Sequence, residues 1–384
     1  MRCMPVDPPL DATAGRKKRM ACRLIQLESV DQLRAEAARW DDLWQRSSVA
    51  MPTVRASQIA LWLEHFAPRA AFRALIVEDA GRWVAGLPLV GRSPSPLLSV
   101  GGLPENEWTA AGDLLLDPMA DSAGAVDVLV AAMGTLPWPL LRLADVEADA
   151  DRWAALLASL DRVGVAWDYQ PRIQLGRIPI DHDWNAQQNR WSRKHRQQMA
   201  RKARRLSERG RLRLVFKSEL APEEVVYWLR RGFAVEDRGW KGEAGTSVLR
   251  TPGMFAFFLR QAEQLAQWGQ IELVFLECDG QPIAFAYGMS AKGDYFSYKV
   301  GYDPAYAAYS PGQLLRYYLY ERLFTDPRRR AIEYMAPTPA HRRWKPDLYT
   351  VGRLLIAPSG GPRRWAVAAA VRSGITRSLP RRRL

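Results

Sequence analysis

The segment Tyr309–Gln313 has the residue types of a helix start that could bind an anion. Ser310 is a favoured N-cap residue, Pro311 suits the first helical position, and Gln313 stands at capping-box spacing from the serine. Gly312 removes the side chain that would keep a ligand away from the backbone. Free N–H groups and the positive end of the helix dipole attract phosphate at such a position. The segment therefore fits a pyrophosphate cradle, although a capped helix that binds nothing has the same pattern.

The elements before this segment would position it at the end of a strand. A long polar helix is predicted over Trp184–Glu208, and alternation from Leu212 onward indicates a strand. Three further strand patterns follow, over Ile271–Glu277, Pro282–Ser290 and Tyr295–Gly301. Pro311–Phe324 is predicted as a helix. The cradle would thus directly follow the last of these three strands.

Two strand–turn–strand segments carry the same pattern, E-x-x-G-x-x-[VI]-A. One begins at Glu78 and the other at Glu277. Both lie in similar runs of helices and strands, which favours a duplicated α/β unit. We predict a flexible lead over 1–21, a first domain over 22–178, a second domain over 179–358 and a basic tail over 359–384.

The charge of the chain points to an anionic partner. The 384 residues carry a formal net charge of +14, and 48% of them are hydrophobic, which indicates a globular protein. Eleven Lys or Arg lie between Arg190 and Arg213, and eleven more between His341 and Leu384. From charge alone, nucleotide phosphates, an anionic membrane and nucleic acid all qualify as partners.

Several other chemistries find little support in the sequence. No G-x-x-x-x-G-K-[ST] or G-x-S-x-G motif is present, which argues against a P-loop NTPase and an α/β-hydrolase. Cys3, Cys22 and Cys278 lack zinc-binding spacing, and the four histidines lack close carboxylates, so no metal is expected. Neither a signal peptide nor a membrane span is expected, which favours a cytoplasmic location.

Four sequence blocks follow one another in the second half. They are the basic segment that starts at Trp191, the block Gly239–Thr246, the hairpin Gly280–Phe285 and the run Tyr302–Gly312. In this order, over about Trp191–Ile356, they resemble the BioF2-like/CelD-type acetyltransferase family, a GNAT-superfamily branch related to the FemXAB transferases. The resemblance implies an α/β (α+β) fold of tandem GNAT-like type, with two mixed-sheet halves flanked by helices.

The resemblance also implies a donor and a reaction. The expected donor is acetyl-CoA or another acyl-CoA, with its pyrophosphate on the helix that begins at Ser310. The acyl group would pass to an amine or hydroxyl acceptor in polysaccharide, cellulose or cell-envelope biosynthesis. Relatives usually carry an acidic residue, a glycine and a Tyr-Lys pair after the last core strand. This chain departs from them there, with Ile332–Pro337 followed by His341–Trp344, and the acceptor is therefore open.

Acyl transfer needs a polarised carbonyl and an acceptor that loses a proton. In GNAT-like folds a backbone N–H meets the carbonyl where two parallel strands splay apart, and here that strand would be Tyr295–Gly301. Glu236 and Asp237 are the first candidates for a side-chain base, although an activated thioester needs no strong one. His341 is a further candidate, because histidine titrates near neutral pH.

The remaining candidates are binding residues. Trp240, Lys241, Tyr287 and Tyr298 are predicted to line the acceptor site. Lys299 is predicted to contact the donor phosphates together with Tyr309–Gln313.

Two other functions stay open at this point. A FemXAB-like transferase that uses aminoacyl-tRNA would hold RNA phosphates on the basic helix. A catalytically idle accessory protein of a biosynthetic complex would place the basic tail on the anionic inner face of the membrane. We expect an acyl-CoA, and not nucleic acid, to be the partner.

Overall fold

The computed structural model of the 384-residue chain describes residues 22–95, 98–336, 341–358 and 367–369. The predicted lead and all of the predicted tail except 367–369 lie outside the described residues. The strands are β1 (Arg23–Leu27), β2 (Phe72–Asp79), β3 (Arg82–Ser95), β4 (Leu98–Gly102), β5 (Leu115–Leu116), β6 (Leu141–Val146), β7 (Ala166–Pro179), β8 (Leu212–Lys217), β9 (Ile271–Cys278), β10 (Gln281–Ala291), β11 (Asp294–Tyr302), β12 (Ala331–Tyr334) and β13 (Asp347–Ala357).

The α-helices are α1 (Val30–Ala35), α2 (Ala37–Arg46), α3 (Ala56–Phe66), α4 (Ser122–Met133), α5 (Asp151–Arg162), α6 (Trp184–Asn189), α7 (Arg193–Ser207), α8 (Pro222–Asp237), α9 (Trp240–Glu243), α10 (Met254–Gln267) and α11 (Pro311–Thr325). Short 3₁₀ turns cover Pro52–Val54, Pro304–Tyr309 and His341–Trp344. No helix among the described residues is long and apolar enough to cross a membrane.

All thirteen strands belong to one mixed sheet. Its order is β1-β2-β3-β4-β6-β13-β7-β12-β11-β10-β9-β8, with β5 paired to β3. The pairs β4–β6 and β11–β12 are parallel, and the other pairs are antiparallel. Helices cover the sheet in both halves of the chain, which confirms the predicted fold of two mixed-sheet halves flanked by helices.

The two halves share strands at the middle of the sheet. The long strand β7 pairs with β13 over most of its length, and its end pairs with β12, with Ile178 opposite Ile332. Strand β13 comes from the end of the second half but lies between β6 and β7. The halves are therefore continuous through hydrogen-bonded backbone.

The two matching hairpins have the same turn geometry. Ala80 and Gly81 have φ values of 50° and 80°, and Asp279 and Gly280 have 50° and 77°. Two consecutive positive φ angles belong to the type I′ turn, whose twist suits a two-residue hairpin. The glycine of the shared pattern therefore stands where a left-handed backbone is needed.

Side chains also connect the halves. The Lys292 Nζ donates to the carbonyls of Val49 (2.8 Å) and Ser47 (2.9 Å) beyond α2. The Arg55 guanidinium lies 3.5 Å from the ring centroid of Trp268. The Lys292 contacts hold the turn before β11, and the Arg55 contact holds the end of α10, against the first half.

Within the second half, the helices cover opposite faces of the sheet. Helices α8 and α10 pack on one face, through residues such as Phe233 and Phe258. Helix α11 packs on the other through Leu314 and Leu315, and α7 joins it there. Strand β11 separates these two layers.

The predicted helix Trp184–Glu208 is in fact two helices. Ser192 begins α7, because its side chain accepts a hydrogen bond from the His195 N–H (3.2 Å). The break between α6 and α7 buries Trp191, whose ring centroid lies 5.0 Å from that of Trp344. The N-cap at Ser192 and the contact of Trp191 with Trp344, a residue far away in sequence, outweigh the continuous helical pattern.

Candidate functional site

Helix α11 begins just after the end of β11, as the sequence predicted. Pro311 is the first helical residue. A Cβ at Gly312 would lie 3.6 Å from Tyr302 and 3.7 Å from Val300, so the helix start rests on the end of the strand. Pro311 has no N–H, and the Gln313 N–H donates to the Ser310 carbonyl (2.9 Å). Within this first turn the Gly312 N–H is therefore the group left for a ligand.

Ser310 does not cap this helix in the predicted way. Its φ is 52°, and its side chain makes no capping hydrogen bond. An N-cap residue normally has an extended backbone, which aims its side chain at the first turn. Gln313 does not reach back either, since its side chain accepts a hydrogen bond from the Trp344 Nε1 (3.1 Å). The predicted capping box is therefore wrong, whereas the helix start itself is confirmed.

Helix α7 brings cations to this helix start. The Lys202 Nζ donates to the Ser310 Oγ at 2.5 Å, and the Arg205 guanidinium lies 5.5 Å from the Tyr309 ring centroid. Burial, and then the nearby charges of Arg343 and Arg201, lower the pKa of Lys202. No described carboxylate lies within ion-pair distance of Lys202. The helix start and these cations, which we call the cationic cradle, form a region suited to phosphate.

Sequence analysis did not single out Lys202. It is one of eleven basic residues between Arg190 and Arg213. The helical spacing in this segment was read from the apolar residues, which do not distinguish one lysine from the others. The signal that could have found it is the period of α7, because Lys202 lies three residues after the buried Met199. Positions three apart are neighbours on a helix surface.

Strands β11 and β12 separate close to the cradle. Their parallel pairing runs from Asp294 opposite Ala331 to Ser297 opposite Tyr334. Strand β12 ends at Tyr334, whereas β11 continues to Tyr302. The last five residues of β11 therefore have no pairing with β12. The expected separation of two parallel strands lies at this point.

A β-bulge redirects the side chains at this point of β11. The register against β10 passes from Tyr287 opposite Lys299 to Gly288 opposite Ser297, which leaves Tyr298 as an extra residue. Tyr298 and Lys299 therefore point to the same face. The Lys299 Nζ lies 4.9 Å from the ring centroid of Phe258, on the α10 side.

Lys299 is consequently not brought together with the helix start. Val300, the next residue, packs in the α11 layer and is the neighbour of Gly312. Lys299 points through the opposite face of the sheet. The structure thus separates it from Tyr309–Gln313, with which sequence analysis had grouped it.

A cavity of about 340 Å³, which we call the junction cavity, lies beside the splay. Strand β11 contributes Phe296, Tyr298 and Lys299, and Met335 and Ala336 follow β12 in its wall. The first half supplies the opposite wall, which includes Leu103 to Gly112 and the end of β6. The cavity is therefore built by both halves at the strand separation.

The charged groups of the junction cavity are largely paired. Arg177 forms an ion pair with Glu333, whose other oxygen accepts a hydrogen bond from the Tyr349 hydroxyl (3.2 Å). Arg152 pairs with Asp113 at 2.9 Å. Burial raises the pKa of Glu333, and the adjacent Arg177 charge opposes that effect. Glu333 lies in the segment where this sequence departs from the family pattern, and it is part of the cavity wall.

The predicted catalytic carboxylates lie at the end of α8 and are both hydrogen-bonded. The Glu236 side chain is buried, and it accepts from the Lys241 Nζ (2.6 Å) and the Val248 N–H (3.2 Å). Asp237 accepts from the Arg250 Nε (2.8 Å) and the Ser247 Oγ, and these bonds lower its pKa. Neither carboxylate lines the junction cavity.

The four predicted acceptor residues have different surroundings. Trp240 is 66% exposed, and Lys241 is held by Glu236. Tyr287 is buried in the core, where its hydroxyl donates to the Gln261 side chain (3.0 Å). Only Tyr298 lines the junction cavity, and its hydroxyl donates to the Trp108 carbonyl.

His341 is buried in the α11 layer. Its ring stacks on Tyr334 at a centroid distance of 3.9 Å. Burial and the nearby Arg316 lower its pKa to about 4, so the imidazole is neutral at pH 7. The preceding residues 337–340 lie outside the described part of the chain. No group of three or more His, Cys, Asp or Glu side chains in the described part could hold a metal ion.

Comparison of the sequence with known families gives a match to part of the second half of the chain. Residues 193–345 match the family described as "Acetyltransferase (GNAT) domain". The matched range starts with α7 and includes β11, the cationic cradle and β12. Comparison with curated proteins found no match.

Solved structures of low sequence identity share the fold. FemX superimposes with a TM-score of 0.57 at 11% identity, over 90% of this chain and 100% of FemX. The C-terminal domain of a protein assigned as a lysylphosphatidylglycerol synthetase of Agrobacterium fabrum gives 0.53 at 14%, over 90% and 96% of the two chains. L-PGS from Bacillus licheniformis gives 0.51 at 12%, over 89% and 97%. The fold is GNAT-like, and at these identities the likeness concerns the fold alone.

Proposed function

We propose that this protein is an acyltransferase that takes its acyl group from an acyl-CoA. The observation that carries the proposal is the cationic cradle at the start of α11, which lies beside the strand separation in the range matched to a GNAT domain. Acetyl-CoA is the donor that we expect. The pyrophosphate would bind the first turn of α11, with Lys202 as its nearest cation.

The arrangement of β11 supports the rest of the reaction. A thioester that follows the open edge of β11 can accept a hydrogen bond from its backbone, which polarises the carbonyl. The junction cavity opens at the same edge, on the face of the sheet opposite the cradle. Donor and acceptor would therefore approach β11 from opposite faces and meet at the splay, which places them for reaction.

The finer assignments rest on the sequence blocks. We propose membership of the BioF2-like/CelD-type branch, with an amine or hydroxyl acceptor from polysaccharide, cellulose or cell-envelope biosynthesis. We also propose that the protein acts in the cytoplasm, at the inner face of the membrane when its basic tail binds anionic lipid. Glu236 and Asp237 stay candidates for a base, although their hydrogen bonds favour a structural role.

A specific observation supports an RNA-bound donor as the second candidate. On α7, Arg193, Lys194, Arg201 and Arg204 are exposed, and none of them forms an ion pair with a described carboxylate. Such a row suits a polyanion larger than CoA, such as an aminoacyl-tRNA. The FemX structure shares this fold.

Two titrations of the purified chain distinguish the donors. Acetyl-CoA binding would be measured by calorimetry, and bulk tRNA binding by filter retention at about 0.2 M salt, where weak non-specific RNA contacts are lost. We expect acetyl-CoA to bind and tRNA to be washed off. Retained tRNA without acetyl-CoA binding would establish the second candidate instead.

Gly312→Glu locates the donor site. A Cβ fits at Gly312 with ordinary contacts, so the fold should tolerate the change. The new carboxylate would occupy the phosphate position, and we expect acetyl-CoA binding to be lost. Ala154→Glu adds the same charge at an exposed position of α5 and should leave binding unchanged. Full binding by Gly312→Glu would place the donor elsewhere.

A further inference from the structure

Among the described residues, Lys299 is the one lysine that lines the junction cavity. The bulge at Tyr298 turns it into the cavity, two residues beyond the last pair of β11 with β12. Its Nζ lies 4.8 Å from the ring centroid of Trp108 and 4.9 Å from that of Phe258. No hydrogen bond or ion pair joins this amine to any described residue. A partly buried amine that contacts aromatic rings is thus aimed at the place where donor and acceptor meet.

Burial has the largest effect on the pKa of Lys299, and the neighbouring charges act in both directions. Burial lowers its pKa to about 8; the charge of Lys241 acts in the same direction and that of Glu236 opposes it. Tyr298 lies on the same strand, and burial raises the pKa of its phenol, which stays neutral. The wall beside Trp108 also carries Glu105 and Glu107. Since Lys241 is bound to Glu236, the pair presents little net charge to Lys299.

We infer that Lys299 is the general base of this site, which receives the proton of the acceptor as it attacks the thioester. This inference rests on the proposed function. It replaces the phosphate contact that sequence analysis expected of Lys299, because the bulge directs the amine away from the cradle.

The step balances with the groups present. The acceptor amine or hydroxyl forms a bond to the carbonyl carbon, while the bond from that carbon to sulfur breaks. The proton of the acceptor passes to the neutral Lys299 Nζ, which becomes an ammonium. CoA leaves as a thiolate and takes up one proton, and the ammonium returns its proton to solvent. The products are the acylated acceptor and CoA thiol.

Thiol release from acetyl-CoA, with water as the acceptor, tests this role without knowledge of the natural acceptor. In the wild type we expect kcat to rise with pH through about 8, as Lys299 loses its proton. Lys299→Met should lower kcat by about 100-fold, the usual contribution of a general base, and remove this pH dependence. Lys299→Arg should be equally impaired, since arginine keeps its proton. Calorimetry should show unchanged acetyl-CoA binding in both variants.

Lys217→Met is the matched control. Lys217 also lies over a tryptophan ring, 4.4 Å from the centroid of Trp228, but it is on β8 and outside the cavity. Its loss should leave kcat unchanged. Labelling with acetic anhydride across pH, read by mass spectrometry, should show a midpoint for Lys299 below that of an unperturbed lysine, about 10.4.

Four results would overturn the inference. Activity retained in Lys299→Arg would make the residue a fixed cation, and weakened acetyl-CoA binding in Lys299→Met would make it a donor contact. A wild type that binds acetyl-CoA but shows no pH-dependent thiol release, or a Lys299 labelling midpoint as high as that of an unperturbed lysine, would also exclude the base. Failure of the wild type to bind any acyl-CoA concerns the proposed function instead, and the labelling result still decides the ionisation of Lys299.

Discussion

The cationic cradle and the junction cavity lie on opposite faces of β11, and they balance their charges in different ways. In the cradle, Lys202 meets the hydroxyl of Ser310 and other cations, without a described carboxylate in ion-pair range. In the cavity, buried carboxylates face arginines, as in the pair of Glu333 with Arg177. A site for a polyanion needs unpaired positive charge, whereas charged side chains that are buried around a cavity need partners of opposite charge. Mutations should therefore affect binding at the cradle and stability at the cavity.

The largest effect on stability is expected for Arg177→Met. The change leaves Glu333, only 3% exposed, without its ion-pair partner. Because the Arg177 side chain is itself 47% exposed, solvent screens the pair, and its loss should lower the free energy of unfolding by about 1.5 kcal/mol, measured by urea denaturation. Adding Glu333→Gln to the same chain should recover most of the loss. A single variant as stable as the wild type would show that the cavity does not depend on this pair.

Lys202→Glu should act on binding and not on stability. Reversing the charge beside Ser310 replaces an attraction for phosphate by a repulsion, and we expect the Kd for acetyl-CoA to rise by about 100-fold. The melting temperature should stay the same, because no described carboxylate depends on Lys202. Lys194→Glu makes the same change at an exposed position of α7. Equal losses in the two variants would mean that the whole helix, and not the cradle, attracts the donor.

Lys299→Met should stabilise the protein while it removes activity. The pKa of Lys299 in the folded chain is about 8, below the value of about 10.4 of an unperturbed lysine. The unfolded chain then binds more protons between these values, so wild-type stability rises with pH in that window. The gain in melting temperature, about 2 °C, should be full below pH 8 and shrink towards pH 10. A gain that is independent of pH would point to better packing instead.

Arg205→Gln should have the smallest effect. Arg205 contributes its charge to the cradle and lies over the ring of Tyr309 at 5.5 Å. An exposed contact of this kind is weak, and the Kd for acetyl-CoA should rise by about threefold. Raising the salt concentration should reduce the difference between the variant and the wild type. A loss as large as that of Lys202→Glu would place Arg205 in direct contact with the phosphates.

Much of the local structure was predictable because it depends on neighbours in sequence. The hairpin turns at Gly81 and Gly280 follow from glycine at a left-handed position. The start of α11 at Pro311 follows from the fixed φ of proline. The split of the polar helix before α7 was missed, since the contact of Trp191 with Trp344 joins residues far apart in the chain.

The candidate site could be predicted only in part. The cradle was located at Ser310, but its cation Lys202 comes from another helix, and the two meet only through packing. Sequence analysis grouped Lys299 with the cradle, but the bulge at Tyr298 places this side chain on the opposite face of the sheet. Glu236 and Asp237 stay untested as a base, although both already accept hydrogen bonds.

The sequence by itself determined the hairpin turns at Gly81 and Gly280, the start of α11 at Pro311 and the excess of positive charge on α7. These features depend on residue type and on short spacings, which act within a few residues along the chain. Only the tertiary structure decided that β13 returns to the sheet of the first half, that Arg177 meets Glu333, and that Lys299 faces a cavity instead of the cradle. Each of these depends on strand pairing and register between segments far apart in sequence, which local patterns do not encode.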